Sequence, residues 1–259
     1  MSEWRRFTGE LAGWTLGHGP RLVFVHGFTQ TGSSWKPIAA HLAANGYESI
    51  VVDQPGHGES SEVRTDLAAT AGLLTSQCGR GVYIGYSLGA RLCLHAAVLH
   101  PQLVRGLGLV GASPGIADDT ERAARREADE KLADKVERIG VEAFLDDWLA
   151  QPLFAGLRLD DQQRADRLRN SANGLATSLR LAGTGAQDSL WSRLGELGMP
   201  VLAMAGEHDE KYVEIGRRIG ASVPDGRFEE IAGAGHAAHL QDPDRVIALL
   251  RSWLNDLNW

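Results

Sequence analysis

The residues of this sequence best placed to do chemistry fall in three short clusters: Gly85-Tyr86-Ser87-Leu88-Gly89, Gly206-Glu207-His208-Asp209 and Gly233-Ala234-Gly235-His236. In the first, a serine stands between glycines two positions to either side. It follows an apolar run (Val82-Tyr83-Ile84) and opens a helical pattern (Arg91, Leu92, Leu94, Ala97, Val98). A strand-to-helix turn this tight excludes side chains beside the serine. It lifts the hydroxyl above the sheet at a helix N-terminus, where the backbone dipole favours negative charge. A serine at its free pKa is a weak nucleophile and a weak base, so it needs an imidazole, and the imidazole needs a third group to orient it. Ser87, His236 and Asp209 supply those three groups.

The competitors are weaker. Of nine histidines, His236 alone sits directly after the last strand pattern (Phe228-Glu229-Glu230-Ile231) and before the final helix; His239 lies farther from the strand end. His26 and His57 fall in loops on the same side and are expected to shape the pocket, whereas His18, His41, His95 and His100 read as surface or helix positions. For the acid, Asp209 stands four residues past the strand Val201-Leu202-Ala203-Met204-Ala205, and neighbouring Glu207 reads as a surface loop residue. The other position open to an acid, Gly111-Ala112-Ser113, holds no carboxylate. Developing negative charge on a substrate oxygen calls for two backbone N–H groups. Leu88, after the serine, and Phe28, in His26-Gly27-Phe28, are the expected donors.

These groups need a scaffold. Apolar strand runs (Leu22–Val25, Ser49–Val52, Val82–Ile84, Leu103–Val110) alternate with helical patterns, which indicates a mostly parallel sheet covered on both faces. The rhythm stops after Gly111, resumes at Val201, and ends with a helix from about Asp244 to Leu257. Residues 115–187 show only helical stretches, one of them highly charged (Glu121 to Arg138). The expectation is one domain over residues 1–259, an α/β-hydrolase fold with a helical cap at 115–187 inserted before the penultimate strand and roofing the carboxyl ends of the strands. The order serine, acid, histidine along the chain fits that fold. A hairpin from Trp4 to Thr15 is expected to precede it.

Composition excludes other classes. A length of 259 residues with 43% hydrophobic content suits one sizeable core, and a net charge of −7 gives no support for a nucleic-acid partner. No apolar run approaches a membrane span, and the N-terminal Met1-Ser2-Glu3-Trp4-Arg5-Arg6 lacks the apolar stretch of a signal peptide. A cytoplasmic monomer is expected. The two cysteines, Cys78 and Cys93, fall in helical stretches and read as buried free thiols. No cluster has metal-ligand spacing.

Arginines bear on the substrate. Arg91 is four residues past Ser87 on the same helix and shares its face; so close to a nucleophile, it costs desolvation energy unless an anion or an acidic side chain pairs with it. In the cap, Glu121-Arg122-Ala123-Ala124-Arg125 and Arg169-Asn170-Ser171-Ala172-Asn173-Gly174 bring further cations toward the roof. Trp148 and Gln151-Pro152-Leu153-Phe154 form a corner fit to wall a pocket. Together with His26-Gly27-Phe28-Thr29-Gln30, Gly85–Arg91, Gly206–Lys211 and Gly235-His236-Ala237-Ala238-His239, these segments resemble the 2-succinyl-6-hydroxy-2,4-cyclohexadiene-1-carboxylate synthase (MenH) family, from about Leu22 to the final helix.

That resemblance implies a lyase of menaquinone biosynthesis, which eliminates pyruvate from 2-succinyl-5-enolpyruvyl-6-hydroxy-3-cyclohexene-1-carboxylate. It implies a small polycarboxylate substrate held by Arg91, Arg125 and Arg169, with Tyr86 and Trp148 packed near it. Ser87, activated by His236 and Asp209, would act as general base on a ring C–H; the Phe28 and Leu88 amides would stabilise the enolate. No cofactor or metal is implied. The residues alone leave open a serine carboxylesterase acting on a small anionic ester, or a binding protein on the same scaffold.

Overall fold

The computed structural model describes residues 3–7 and 9–257; Met1 and Ser2 of the N-terminal segment, Thr8 of the expected hairpin, and residues 258–259 of the single domain lie outside them. Eight strands form one sheet in the order β1-β2-β4-β3-β5-β6-β7-β8. They are β1 Arg5–Phe7, β2 Gly13–Gly17, β3 Arg21–Val25, β4 Glu48–Val52, β5 Gly81–Tyr86, β6 Val104–Val110, β7 Val201–Gly206 and β8 Gly226–Ile231. β2 runs antiparallel to β1 and β4, and every other neighbouring pair is parallel. The hairpin of β1 and β2 thus adds an antiparallel edge to a sheet otherwise built by helical crossovers.

Helices cover both faces. They are α1 Lys36–Ala43, α2 Leu67–Cys78, α3 Leu88–Leu99, α7 Glu210–Ser222, α8 Ala238–Gln241 and α9 Pro243–Asn255. Alternation along β3 shows why: Val23 and Val25 face one core with α2 and α3 residues, and Leu22 and Phe24 face another with Trp35, Leu42, Leu250 and Trp253. Each such side chain contributes about 1.5–3 kcal/mol when fully buried, and both faces need one. Both cysteine thiols are free and buried, and burial pushes their pKa values up.

Between β6 and β7 the chain leaves the sheet and builds the cap from α4 Asp119–Leu149, α5 Asp161–Arg167 and α6 Ala172–Ala182. The highly charged stretch is the first part of α4, which continues past a break at Gly140 (φ 80°, ψ 168°). One face of α4 packs Ala133, Val136 and Phe144 against Leu175, Ala176 and Leu179 of α6, a third core separate from those of the sheet. Arg180 of α6 straps the helices together through Glu130, Asp134 and Glu137 of α4. Ser171 starts α6 by accepting from the Gly174 N–H (3.0 Å). A Cβ on Gly174 would lie 2.4 Å from the Gly56 carbonyl oxygen, so a glycine there seats the cap on the loop after β4. Among the described residues no helix is long and apolar enough to cross a membrane.

Candidate active site

Ser87 joins β5 to α3 with φ 51° and ψ −109°, a conformation non-glycine residues rarely adopt. A Cβ on Gly85 would sit 2.4 Å from the Gly89 carbonyl oxygen, and one on Gly89 would sit 2.2 Å from that of Val25. The turn therefore closes only with glycine at both places. It presents the serine hydroxyl at the carboxyl end of the sheet.

The loops after β7 and β8 bring the partners. His208 N–H donates to the Ala234 carbonyl and Glu207 N–H to that of Ile231, both at 2.9 Å, and the Glu207 carboxylate accepts from Gly233 N–H at 2.7 Å. Glu207 thus ties the two loops together. Asp209 and His236 are buried, with His236 Nδ1 2.6 Å from Asp209 Oδ2 and His236 Nε2 3.1 Å from Ser87 Oγ. An ionised carboxylate only accepts, so Nδ1 carries the proton and Nε2 is free to accept from the serine hydroxyl. The imidazole is packed between Tyr212 (4.5 Å between ring centroids), Tyr86 (5.2 Å) and Phe154 (6.1 Å). A Cβ on Gly111, which has φ 58°, would come within 2.9 Å of the ring.

Ser87 opens into a chamber of about 310 Å³ beneath the cap. Phe28, Leu88, Trp148 and Phe154 supply its apolar wall. As the first residue of α3, Leu88 has an N–H outside the helical ladder. Phe28 follows Gly27, where a Cβ would lie 2.5 Å from the Tyr86 ring, so glycine there lets the loop approach the residue before Ser87. The Trp148 indole Nε1 is buried and without a hydrogen-bond partner among the described residues.

Arg91 and Arg125 both line the chamber. The Arg91 guanidinium is buried and donates to the Ala182 carbonyl (2.9 Å) and to Gln187 Oε1 (3.3 Å), neutral acceptors rather than an acid. Burial, aided by the nearby Arg125, pulls its pKa down to about 10 against the opposing Tyr212 and Asp129; it stays cationic at neutral pH. Arg125 Nε pairs with Asp129 at 2.7 Å, and the buried Asp129 also accepts from Gly185 N–H.

Arg169, His26 and His57 depart from expectation, whereas His95 lies on a helix and His239 away from the serine, as expected. Arg169 does not line this chamber: its side chain is exposed and pairs with Asp166 (3.0 Å) and Glu59 (3.5 Å). It lies just past the end of α5 and reaches the loop after β4 through Glu59, while Arg167, two residues earlier, is buried. His26 and His57 do not line the chamber either. They are buried beneath Phe28, with His57 edge-on to its ring at 5.7 Å, and desolvation lowers the pKa of both, that of His57 to about 4. His95 is buried within α3, its Nδ1 donating to the Arg91 carbonyl at 2.9 Å. His239 packs between Tyr86 (4.2 Å) and Trp35 (4.6 Å) without reaching the serine.

Two features went unread in the sequence. Tyr212 lines the chamber and packs on His236; its position three residues after Asp209 at the start of a helix was the available signal. Thr29, with φ 67°, is held from the cap, its carbonyl accepting from Asn170 Nδ2 (2.8 Å) and its hydroxyl from Arg167. Asn170 Oδ1 also accepts from Gly58 N–H at 2.8 Å. The cap therefore fixes the loop that carries the Phe28 amide. Among the described residues, no group of three or more His, Cys, Asp or Glu could hold a metal ion.

The family model described as "Alpha/beta hydrolase family" matches residues 22–249. A Bacillus subtilis (strain 168) relative is 38% identical over 238 residues, covering 86% of this chain and 85% of its own. A protein of Enterobacter sp. (strain 638) named 2-succinyl-6-hydroxy-2,4-cyclohexadiene-1-carboxylate synthase is 33% identical over 241 residues, covering 89% and 90%. The solved structure of MenH from S. aureus superposes with a TM-score of 0.86 at 29% identity, covering 99% of each chain. With the sheet order, the serine turn and these relatives in agreement, the chain belongs to the 2-succinyl-6-hydroxy-2,4-cyclohexadiene-1-carboxylate synthase (MenH) family, within the α/β hydrolases.

Proposed function

We propose that this protein eliminates pyruvate from 2-succinyl-5-enolpyruvyl-6-hydroxy-3-cyclohexene-1-carboxylate, giving 2-succinyl-6-hydroxy-2,4-cyclohexadiene-1-carboxylate. The observation that carries the reading is Arg91, a buried guanidinium on the chamber wall one helical turn from Ser87 with no carboxylate bound to it among the described residues. A tricarboxylate ligand supplies the anion that such a cation lacks. The relatives named for this reaction supply the rest.

In this reading Asp209 holds the His236 Nδ1–H, so Nε2 takes the Ser87 proton and the serine oxygen removes the ring proton beside the succinyl ketone. The C–H electrons form a new ring double bond, the existing one shifts by one position, and the ring C–O bond to the enolpyruvyl group breaks. The departing enolate takes up the proton held on His236 and becomes pyruvate, which returns His236 to its neutral form. Charge developing on the ketone oxygen is met by the Phe28 and Leu88 amides. Arg91 and Arg125 hold carboxylates, Trp148 and Tyr86 pack against the substrate, and no acyl-enzyme forms.

The test uses purified protein with the enolpyruvyl precursor, following pyruvate release. Turnover that is lost in Ser87→Ala supports the proposal. Efficient hydrolysis of p-nitrophenyl esters without pyruvate release would replace it with an esterase acting on small anionic esters.

A further inference from the structure

A second cavity, of about 740 Å³, lies between α5 and the segment leading from β3 into α1. It shares no lining residue with the serine chamber. Its wall includes Gln30, Ser33, Ser34, Asp166, Arg167 and Arg169.

Arg167 is the unusual member. Only 4% of it is exposed, and its guanidinium makes one hydrogen bond to a described residue, to the neutral Thr29 hydroxyl. A guanidinium carries five N–H donors. Neighbouring Asp166 is already engaged, Oδ2 by the Thr31 hydroxyl at 2.5 Å and Oδ1 by Arg169 at 3.0 Å, and among the described residues no ion pair joins Arg167 to a carboxylate. Desolvation pulls its pKa down to about 10, which leaves it charged at neutral pH. A buried cation without a counterion is costly. Gln30 lines the same wall; its Oε1 accepts from Gly27 N–H (3.2 Å), while its Nε2 is buried behind the wall with no acceptor among the described residues.

We propose that this cavity is a second binding site, taking a small organic acid whose carboxylate caps the Arg167 guanidinium. The planar fork of arginine matches a carboxylate with two parallel hydrogen bonds. Lys36 and Arg169 share the wall with Asp160 and Asp166 and offset their charge, so the Arg167 guanidinium is left to be matched, and a singly charged carboxylate does that better than a phosphate dianion. Cap and sheet domain both contribute, which places the acid where it bridges α5 to the loop after β3.

The experiment is an NMR titration of the arginine Nε–Hε signals of the full chain, with sodium acetate and sodium benzoate at ionic strength held constant by sodium chloride. Arg167→Lys assigns the signal. The expected result is a saturable shift of the Arg167 signal with the organic acids but not with chloride, weakened about tenfold or more by Ala165→Trp. That variant fills the mouth of the cavity from an exposed wall position and leaves Arg167 and its Thr29 contact in place. Arg91→Ala is expected to leave the titration unchanged. No saturable shift, an equal shift with chloride, insensitivity to Ala165→Trp, or loss in Arg91→Ala would each overturn the site. Tighter binding of sodium phosphate would overturn its ligand class. Pyruvate release at Ser87 is measured separately, so failure of the proposed reaction and failure of this site are distinguishable.

Discussion

Arg91 and Arg125 line the same chamber but start from different electrostatic positions. Arg91 is buried against neutral acceptors, whereas Arg125 is already compensated by Asp129. A substrate carboxylate meeting Arg91 completes a charge-assisted contact of about 1.5–3 kcal/mol; one meeting Arg125 must share it with an existing partner. Arg91→Ala is therefore expected to lower kcat/KM by roughly ten- to hundredfold, and Arg125→Ala by a smaller factor. Steady-state kinetics with the enolpyruvyl precursor read both. Equal effects, or the reverse order, would remove Arg91 from its proposed role.

At the scale of elements, the loop from His26 to Thr31 carries the Phe28 amide and is fixed from outside. Thr29 is held at positive φ by Asn170 and Arg167 of the cap, and such strain persists only where neighbours over-determine it. Asn170→Ala removes contacts to Thr29, Arg167 and Gly58 at once. It is expected to cost about 1–3 kcal/mol of stability and to lower kcat more than it raises KM, because the amide moves while the carboxylate-binding arginines stay. Thermal unfolding and kinetics check both halves. A pure KM effect would mean that the cap does not set the position of Phe28.

At the scale of the whole molecule, His26, His57 and His239 are buried with pKa values held below the ordinary 6.5, chiefly by desolvation. Unfolded, they take up protons near pH 6.5; folded, His57 does so only near pH 4. Their contribution is thus complete above the unfolded pKa and is lost as the pH falls from 6.5 toward 4. For His57 alone the difference corresponds to about 3 kcal/mol. Buried Asp53, its pKa raised by desolvation, works in the opposite direction at the acid end. Urea unfolding is expected to show stability decreasing between pH 6.5 and 4, with a shallower slope in His57→Gln. A flat profile across that window would mean that these imidazoles are hydrated in the folded state.

The sequence alone determined the sheet, the cap insertion and the Ser87 turn, because strand and helix periodicity and the Gly85/Gly89 spacing are local signals written in consecutive residues. It also located Asp209 and His236 by their distance from strand ends. Which arginine looks where was decided only by tertiary structure. Arg167 closes α5 and Arg169 lies in the turn beyond it, so the way the cap lies on the sheet domain buries Arg167 against Thr29 and leaves Arg169 exposed, paired with Asp166 and Glu59. The pinning of Thr29 by Asn170 joins positions 141 residues apart, and the packing of Tyr212 on His236 joins α7 to the loop after β8. No local pattern encodes such contacts; they exist once the three cores have closed.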